Sequence, residues 1–380
     1  MLRRRRRRSK NETTSRAEKA VRAFAILLAS VAFLMVGAYG FMLWFIEPPE
    51  LNRPTIIRSP VRTGDPAETN GDVIELGPVP VHEEDGWRRD VYTILVAGED
   101  DGFGGPDVIM VVLFDVGNGS IDVLSIPRDT IVNVPWALKK INSYQHLFRR
   151  AERYQHYDHY IYALRHGVAN LVGYQTDFWI TLDLDAFIEL VDAIGGVELD
   201  VPQRMRYSDP HQNLFIDLHP GPQLLDGEAA MGLVRFRNYP QGDIQRIRVQ
   251  HEFLRALSGQ LLQARNILVL DDMVRIFRDN VDTDLSIRNL LWFATEFLRL
   301  DSENVRFHSV DHTIANINDN VNGVSYVSLF VEPWLELINT YMNPFTWELQ
   351  AEDLEILTRD RSTGRFFTTN GAPFQNNWAG

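Results

Sequence analysis

The stretch VYTILVAGEDDGFGGPDVIMVVLFDVGNGSIDVLSIPRD, Val91 to Asp129, decides the fold. It holds three apolar runs of strand length, Val91 to Ala97, Val108 to Phe114 and Ile121 to Ile126, rich in β-branched residues. Between the second and third, Asp115-Val116-Gly117-Asn118-Gly119-Ser120 offers the Gly and Asn that a tight hairpin needs for its positive φ angles. The stretch predicts three strands of one sheet. An acidic, Gly-rich loop separates the first two, and the third runs straight into Ser125-Ile126-Pro127-Arg128-Asp129.

Outward from this core the period changes. Tyr157, Ile161, Leu164, Val168 and Leu171 recur at spacings of three and four, which predicts an amphipathic helix over Arg153 to Val172 lying on the sheet. Phe178 to Leu182 reads as a strand, and Leu184 to Ile194 as a helix stopped by Gly195-Gly196 before a strand at Val197 to Val201. Helices follow at Gly227 to Val234, from Asp243 to near Ala264, at Met273 to Phe277 and at Ser286 to Leu300; Val305 to Val310 returns to the sheet. The alternation predicts one α/β domain with a mixed central sheet covered by helices. That domain spans 91–310, with 311–344 as its C-terminal helical part and 345–380 as a polar appendage whose strand candidates are Leu354 to Thr358 and Arg365 to Thr369.

Charge divides the chain. Of a net charge of -13, residues 1–22 contribute +8, with ten Lys or Arg against Glu12 and Glu18, so the remainder carries -21. Ala23 to Ile46 follows without a charge, a length that spans a bilayer. The basic tail (1–22) before this anchor (23–46) predicts a single-pass type II membrane protein, with everything after Ile46 outside. Residues 47–90, rich in proline and charge, read as a tether. An acidic ectodomain excludes nucleic acid as a partner. The absence of cysteine excludes disulfides, thiolate metal sites and a cysteine nucleophile.

Three clusters point to anion chemistry. The loop Gly98 to Asp107 crowds four carboxylates at a strand end, an arrangement that calls for a hard cation or an arginine. Arg128 leaves the third strand where α/β proteins place their sites, with Lys139-Lys140-Ile141-Asn142 downstream. In the third cluster, an extended Arg235-Phe236-Arg237 would aim two guanidinium forks to one side. Arg246 and Gln250 share one face of the following helix, while Arg248 points elsewhere, which favours Arg246 as the anion contact. His156 and His159 fit a core or an apolar groove better than a metal site. No serine stands in a Gly-x-Ser-x-Gly setting.

In this order the segments resemble the LytR-CpsA-Psr family from Val91 to about Val310: Gly98 to Asp100, Asp107, Ser125 to Asp129, Lys140 to Asn142, Val191 to Val197, Pro220 to Glu228, then Arg-x-Arg and Asp-x-x-Arg. The resemblance implies an Mg²⁺-dependent phosphotransferase whose apolar tunnel holds a polyprenyl tail while arginines hold its pyrophosphate. It implies Asp100 and Asp107 as metal ligands, Asp107, Arg128 and Arg237 as catalytic, and Arg128, Arg235, Arg237, Lys140, Arg246 and Gln250 as pyrophosphate contacts. The partners would be a polyprenyl-pyrophosphate-linked glycan and a peptidoglycan acceptor. Two departures stand out. Gly105-Pro106 replaces the usual Arg-Ser, and Val249-Gln250 replaces a usual Arg-Gln. Rival readings are a pyrophosphohydrolase, a lipid-carrier binding module and an envelope regulator. Protease added to intact spheroplasts should digest the chain beyond Ile46 and spare the N-terminal arginines; protection of the ectodomain overturns this topology.

Overall fold

The computed structural model describes residues 46–51, 53, 86–98, 105–144, 160–210, 214–236, 238–240, 243–262, 281–360 and 362–376. The chain forms two compact units, Met1–Pro49 with Arg288–Ala294, and Glu50–Ile287 with Thr295–Gly380. In the first, Glu47 binds Arg288 through its carboxylate (2.8 Å) and Asn289 through its carbonyl (3.1 Å). No helix among the described residues is long and apolar enough to cross a membrane. The expected anchor, Ile46 apart, lies outside them, as does the basic tail.

The second unit is a mixed α/β fold built on a six-stranded sheet. Strands β1 (Val91–Gly98), β2 (Val108–Asp115) and β3 (Ser120–Ser125) form the expected antiparallel meander, with Gly98 opposite Val108 and Met110 opposite Ser125. The Asp115 carboxylate holds the hairpin by accepting from the Asn118 backbone and side chain at 2.9 and 2.8 Å. Strand β4 (Phe178–Leu182) runs parallel to β1. After it the chain builds two hairpin-like pairs outside this sheet: β5 (Val197–Val201) with β8 (Gly221–Leu225), and β6 (Met205–Asp209) with β7 (Leu214–Leu218). Strands β9 (Val281–Thr283) and β10 (Val305–Ser309) return to opposite edges, β10 parallel to β3, giving the order β10-β3-β2-β1-β4-β9.

Side chains alternate across a strand, so Leu95, Ala97, Val111, Leu113 and Leu124 share one face. Helix α1 (Ile161–Val172) joins them in the main core through Ile161, Leu164, Val168 and Leu171. The described part of this helix starts at Ile161; residues 153–159 of the expected helix lie outside the described residues. A second core gathers α2 (Leu184–Ala193), α3 (Gly227–Arg235) and α4 (Asp243–Leu261) against β5 to β8. Asp183 and Asp226 cap α2 and α3 by accepting from the backbones of Ala186 and Ala229, at 2.6 and 2.9 Å. Gly195 and Gly196, at φ 82° and 90°, end α2 as their sequence predicts. Buried Val249, Phe253 and Leu257 seat α4 at a spacing of four, each burial worth about 1.5–3 kcal/mol. Helix α5 covers Ile287–Phe297.

Three expectations are corrected. Residues 311–344, read as helical, open with the hairpin β11 (Ala315–Val321) and β12 (Val324–Leu329); helix begins only at α6 (Val331–Leu337). Apolar alternation there is broken by polar Asn and Asp, which hid the strands. The presumed appendage from 345 onward is part of the core: Phe345, Leu349, Leu354 and Ile356 are buried in it, and β13 (Leu357–Arg359) pairs with β14 (Phe366–Thr368). The described ends of the tether are tied down as well. Trp87 bridges Phe345, and Arg53 makes two bonds to Asp177, at 2.8 and 3.0 Å.

Asp177 also accepts from the Thr93 backbone and hydroxyl, both at 2.9 Å, so one buried carboxylate joins β1, the start of β4 and the incoming chain. Removing one partner of a buried pair leaves the other charge stranded. Asp177→Ala should therefore cost about 3–5 kcal/mol, read as a lowered urea midpoint at unchanged slope.

Candidate active site at the carboxyl edge of the sheet

Strands β1, β3, β4 and β10 all run the same way, so Gly98, Ser125, Leu182 and Ser309 end at one edge, where β2 begins with Val108. That is the edge where α/β sheets place ligands. Asp107 is fixed there by its backbone N–H, which donates to the Gly98 carbonyl at 3.2 Å and closes the acidic loop. Its carboxylate is paired with the Arg128 guanidinium. Arg128 Nε also lies 3.9 Å from Asp129 Oδ1, which in turn meets Lys140 Nζ at 2.8 Å. The result is an alternating row of Asp107, Arg128, Asp129 and Lys140, all partly exposed.

Backbone pairing sets this row. Ile141 N–H donates to Thr130 O (2.9 Å), Asn142 N–H to Arg128 O (3.3 Å) and Val327 N–H to Asp129 O (3.0 Å). The loop after β3 is thus sandwiched between the Lys140–Asn142 segment and β12. Arg128 and Lys140, expected from sequence as anion contacts, are brought together; Asp100, the second expected metal ligand, lies outside the described residues. Gly105 adopts φ 80°, a left-handed conformation that an arginine would occupy only with strain. The departure from Arg-Ser is built into the loop's path and is more than a lost side chain.

A second group lies beside the first. Ser125 Oγ and His251 Nε2 are 3.1 Å apart, joining the end of β3 to α4. His251 lines a cleft of about 270 Å³ with Arg248, Glu252, Arg255, Ser309 and Asp311. Burial, then Arg255 and His308, push the His251 imidazole down to about 4, so it is neutral at physiological pH. His308 contacts Asp122 at 2.7 Å, and Arg306 grips the same carboxylate with two bonds, at 2.8 and 2.6 Å.

The arginine-rich segment departs from expectation. Arg235 is the last residue of α3, so the extended Arg235-Phe236-Arg237 ladder does not form; the backbone becomes extended only at Phe236, and Arg237 lies outside the described residues. Gln250 donates from Nε2 to the Val234 carbonyl at 2.8 Å, a brace between α4 and α3. Burial pushes the Tyr239 phenol up to about 12, a shift that the Arg246 charge opposes. The other face of α4, with Arg248, His251 and Arg255, lines the cleft. Spacings of three and four would have revealed that face. The Ser125 partner, 126 residues away in sequence, needed the fold.

The family model named LytR_cpsA_psr matches residues 68–339. The chain belongs to the LytR_cpsA_psr family. Regulatory protein MsrR of Staphylococcus aureus (strain COL) is 26% identical over 255 residues, covering 64% of this chain and 73% of MsrR. TagV of Bacillus subtilis (strain 168), a polyisoprenyl-teichoic acid–peptidoglycan teichoic acid transferase, is 25% identical over 280 residues, covering 71% of this chain and 65% of TagV. The crystal structure of B. subtilis TagV superposes with a TM-score of 0.54 at 24% identity, over 67% of this chain and 96% of that one. TagT bound to LI-WTA gives 0.52 at 21% identity, over 68% and 92%. These likenesses establish the LytR_cpsA_psr fold. The match starts within the sequence read as a tether and ends inside the residues read as helical.

His251 sets a pH dependence. Its folded pKa lies below the ordinary 6.5, so the stability that goes with the neutral ring is complete above pH 6.5 and is lost as pH falls toward 4. Between pH 7.5 and 5 the parent should lose about 2 kcal/mol more than His251→Gln in urea unfolding. Equal losses in the two proteins would contradict a neutral, buried His251.

Proposed function

We propose that the chain is a phosphotransferase that moves a glycan from a polyprenyl-pyrophosphate carrier to a hydroxyl of cell-wall peptidoglycan, releasing polyprenyl phosphate. It acts as a single-pass type II protein of the cell membrane, with the α/β domain outside. The observation that carries the reading is the row Asp107, Arg128, Asp129, Lys140 at the carboxyl edge of the sheet. Membership of the family and the transfer performed by the TagV relative support it.

The apolar part of the carrier has a matching surface. On the sheet face turned away from the main core, Val96, Met110 and Val112 are only partly covered. They lead toward Ser125, which sits opposite Met110. A polyprenyl tail along this row removes about 25 cal/mol of apolar cost for each Å² covered and delivers its pyrophosphate to the charged edge.

There Arg128 would exchange Asp107 for a phosphate oxygen, since a guanidinium fork binds phosphate as well as carboxylate. Lys140 adds charge, and Arg235, Arg237, Arg246 and Gln250 are the further contacts that the family resemblance implies. The acceptor hydroxyl bonds to the glycan-side phosphorus as the bond to the bridging oxygen breaks. The electron pair leaves with polyprenyl phosphate, and the hydroxyl proton passes to the freed Asp107 carboxylate. Mg²⁺ needs one or two carboxylates beside phosphate oxygens, and exposed Asp107 meets that demand, with Asp100 as the second. When bound, the ion supplies charge neutralisation at the pyrophosphate.

Labelled carrier-linked glycan mixed with wall glycan should yield labelled wall and polyprenyl phosphate. Arg128→Lys should lower kcat/KM about ten- to hundred-fold, the loss expected for one charge-assisted fork. Asp107→Ala should abolish transfer at unchanged Tm. Release of labelled glycan phosphate into water selects a hydrolase instead, and tight carrier binding without turnover selects a binding module.

A further inference from the structure

C-terminal residues beyond the family match, together with the β11–β12 turn inside it, build a cleft of about 530 Å³. Its walls are the β13–β14 hairpin, the β11–β12 turn and the segment at Phe374 to Asn376. Arg359 and Arg365 flank the hairpin turn, both exposed, and neither is ion-paired with a carboxylate among the described residues. The neighbouring acid, Asp360, is engaged in the turn itself: its carboxylate accepts from the Ser362 backbone (2.7 Å), the Ser362 hydroxyl (2.6 Å) and the Thr363 backbone (3.2 Å). Asn320, Asn322 and Asn376 are also among the lining residues, the Asn320 Oδ1 accepting from the Gly323 backbone at 3.0 Å.

The cleft is braced. Phe366 and Phe374 stack with centroids 5.3 Å apart, Arg359 caps Phe366 at 5.6 Å, and Lys139 caps Phe374 at 5.5 Å. A cation at each end of a two-ring stack holds the Arg359 head in place. The same Lys139 donates to the Gln375 carbonyl at 2.5 Å, and Asn133 accepts from the Gln375 backbone at 2.9 Å. The segment 373–375 is therefore buckled onto the loop that carries Arg128, Asp129 and Lys140. Phe366 and Phe374 pack against a small buried cluster of Ile131, Val321, Tyr326 and Leu357, and Lys140 sits 5.8 Å from the Tyr326 ring.

Two exposed guanidinium groups, one of them braced on the Phe366 ring, in an otherwise acidic ectodomain select an anion. Three carboxamides around them suit hydroxyl groups, which both accept and donate. We propose that this cleft binds an anionic glycan chain, gripping a carboxylate or phosphate with Arg359 and Arg365 and sugar hydroxyls with the asparagines. Because Tyr326, beside Lys140, belongs to the cluster on which Phe366 and Phe374 pack, the cleft serves as a docking subsite for one of the two polymers of the proposed reaction, and to that extent the inference rests on that reading.

Calorimetric titration of the full chain tests it without turnover. The probes are soluble peptidoglycan fragments with free stem-peptide carboxylates, the same fragments amidated, poly(glycerol phosphate), and a short-chain polyprenyl pyrophosphate. Arg359→Ala/Arg365→Ala should weaken an anionic glycan at least tenfold, leave the short-chain carrier within twofold, and melt like the parent. Loss for the free-carboxylate fragments but not the amidated ones assigns the wall acceptor; loss for poly(glycerol phosphate) assigns the transferred polymer. If the double variant binds both anionic glycans as the parent does, the proposal is overturned. If the parent transfers nothing yet the double variant still loses glycan binding, the cleft stands and the transfer reading falls.

Discussion

The ammonium group of Lys139 is fully buried, and the segments around it are arranged to satisfy it. It donates to the carbonyls of Val134 (2.5 Å), Trp136 (3.4 Å) and Gln375 (2.5 Å), and burial pushes its pKa down to about 8. A cation without water holds its place only where several oxygens replace the hydration shell. Here those oxygens come from the loop after β3 and from the end of the chain. The loop cannot take this shape without the C-terminal segment, and Arg128, Asp129 and Lys140 are carried on the loop. Both the charged row and the C-terminal cleft depend on one buried side chain.

Where a residue's role follows from local pattern, the sequence was readable. The meander Val91 to Ser125, the Asp115 turn, the Gly195-Gly196 stop and the return of Val305 to the sheet all rest on spacing and turn chemistry, and all are present. Short pairs whose strands alternate polar with apolar residues were missed: β6 with β7, and β11 with β12. Their stability comes from burying one face on distant helices or on the loop, which no local window reveals. The same limit applied to the site. Arg128, Lys140 and Asp107 could be singled out because each stands at a strand end or in a motif. Arg235 could not be placed, because whether α3 ends before or at it decides where its guanidinium goes. His251 and Arg255 shared a legible helix face, yet only the meeting of α4 with β3 gave that face a purpose.

The charged row has a chemical logic of its own. Each cation is neutralised by a neighbouring aspartate, so neither Arg128 nor Lys140 faces water as a bare charge. Under the proposed function, a substrate phosphate would replace one set of partners with another of the same sign. The cost of uncovering the site is therefore small compared with desolvating four isolated ions, since charge is exchanged and not created.

The order in which strands join the sheet has a consequence for synthesis. The three central strands are contiguous in sequence and can pair as soon as they are made, but β10 docks on β3 across more than 180 residues, with Val305 facing Ile121. Until then β3 is an open edge bearing Ile121, Val123 and Leu124, and such edges recruit other chains. Late closure over so long a loop slows folding and prolongs that exposure. A chain truncated before residue 305 would retain the meander and helix α1, yet it would lose the Val327 and Gln375 contacts that shape the charged loop and would present a sticky half-sheet prone to aggregate.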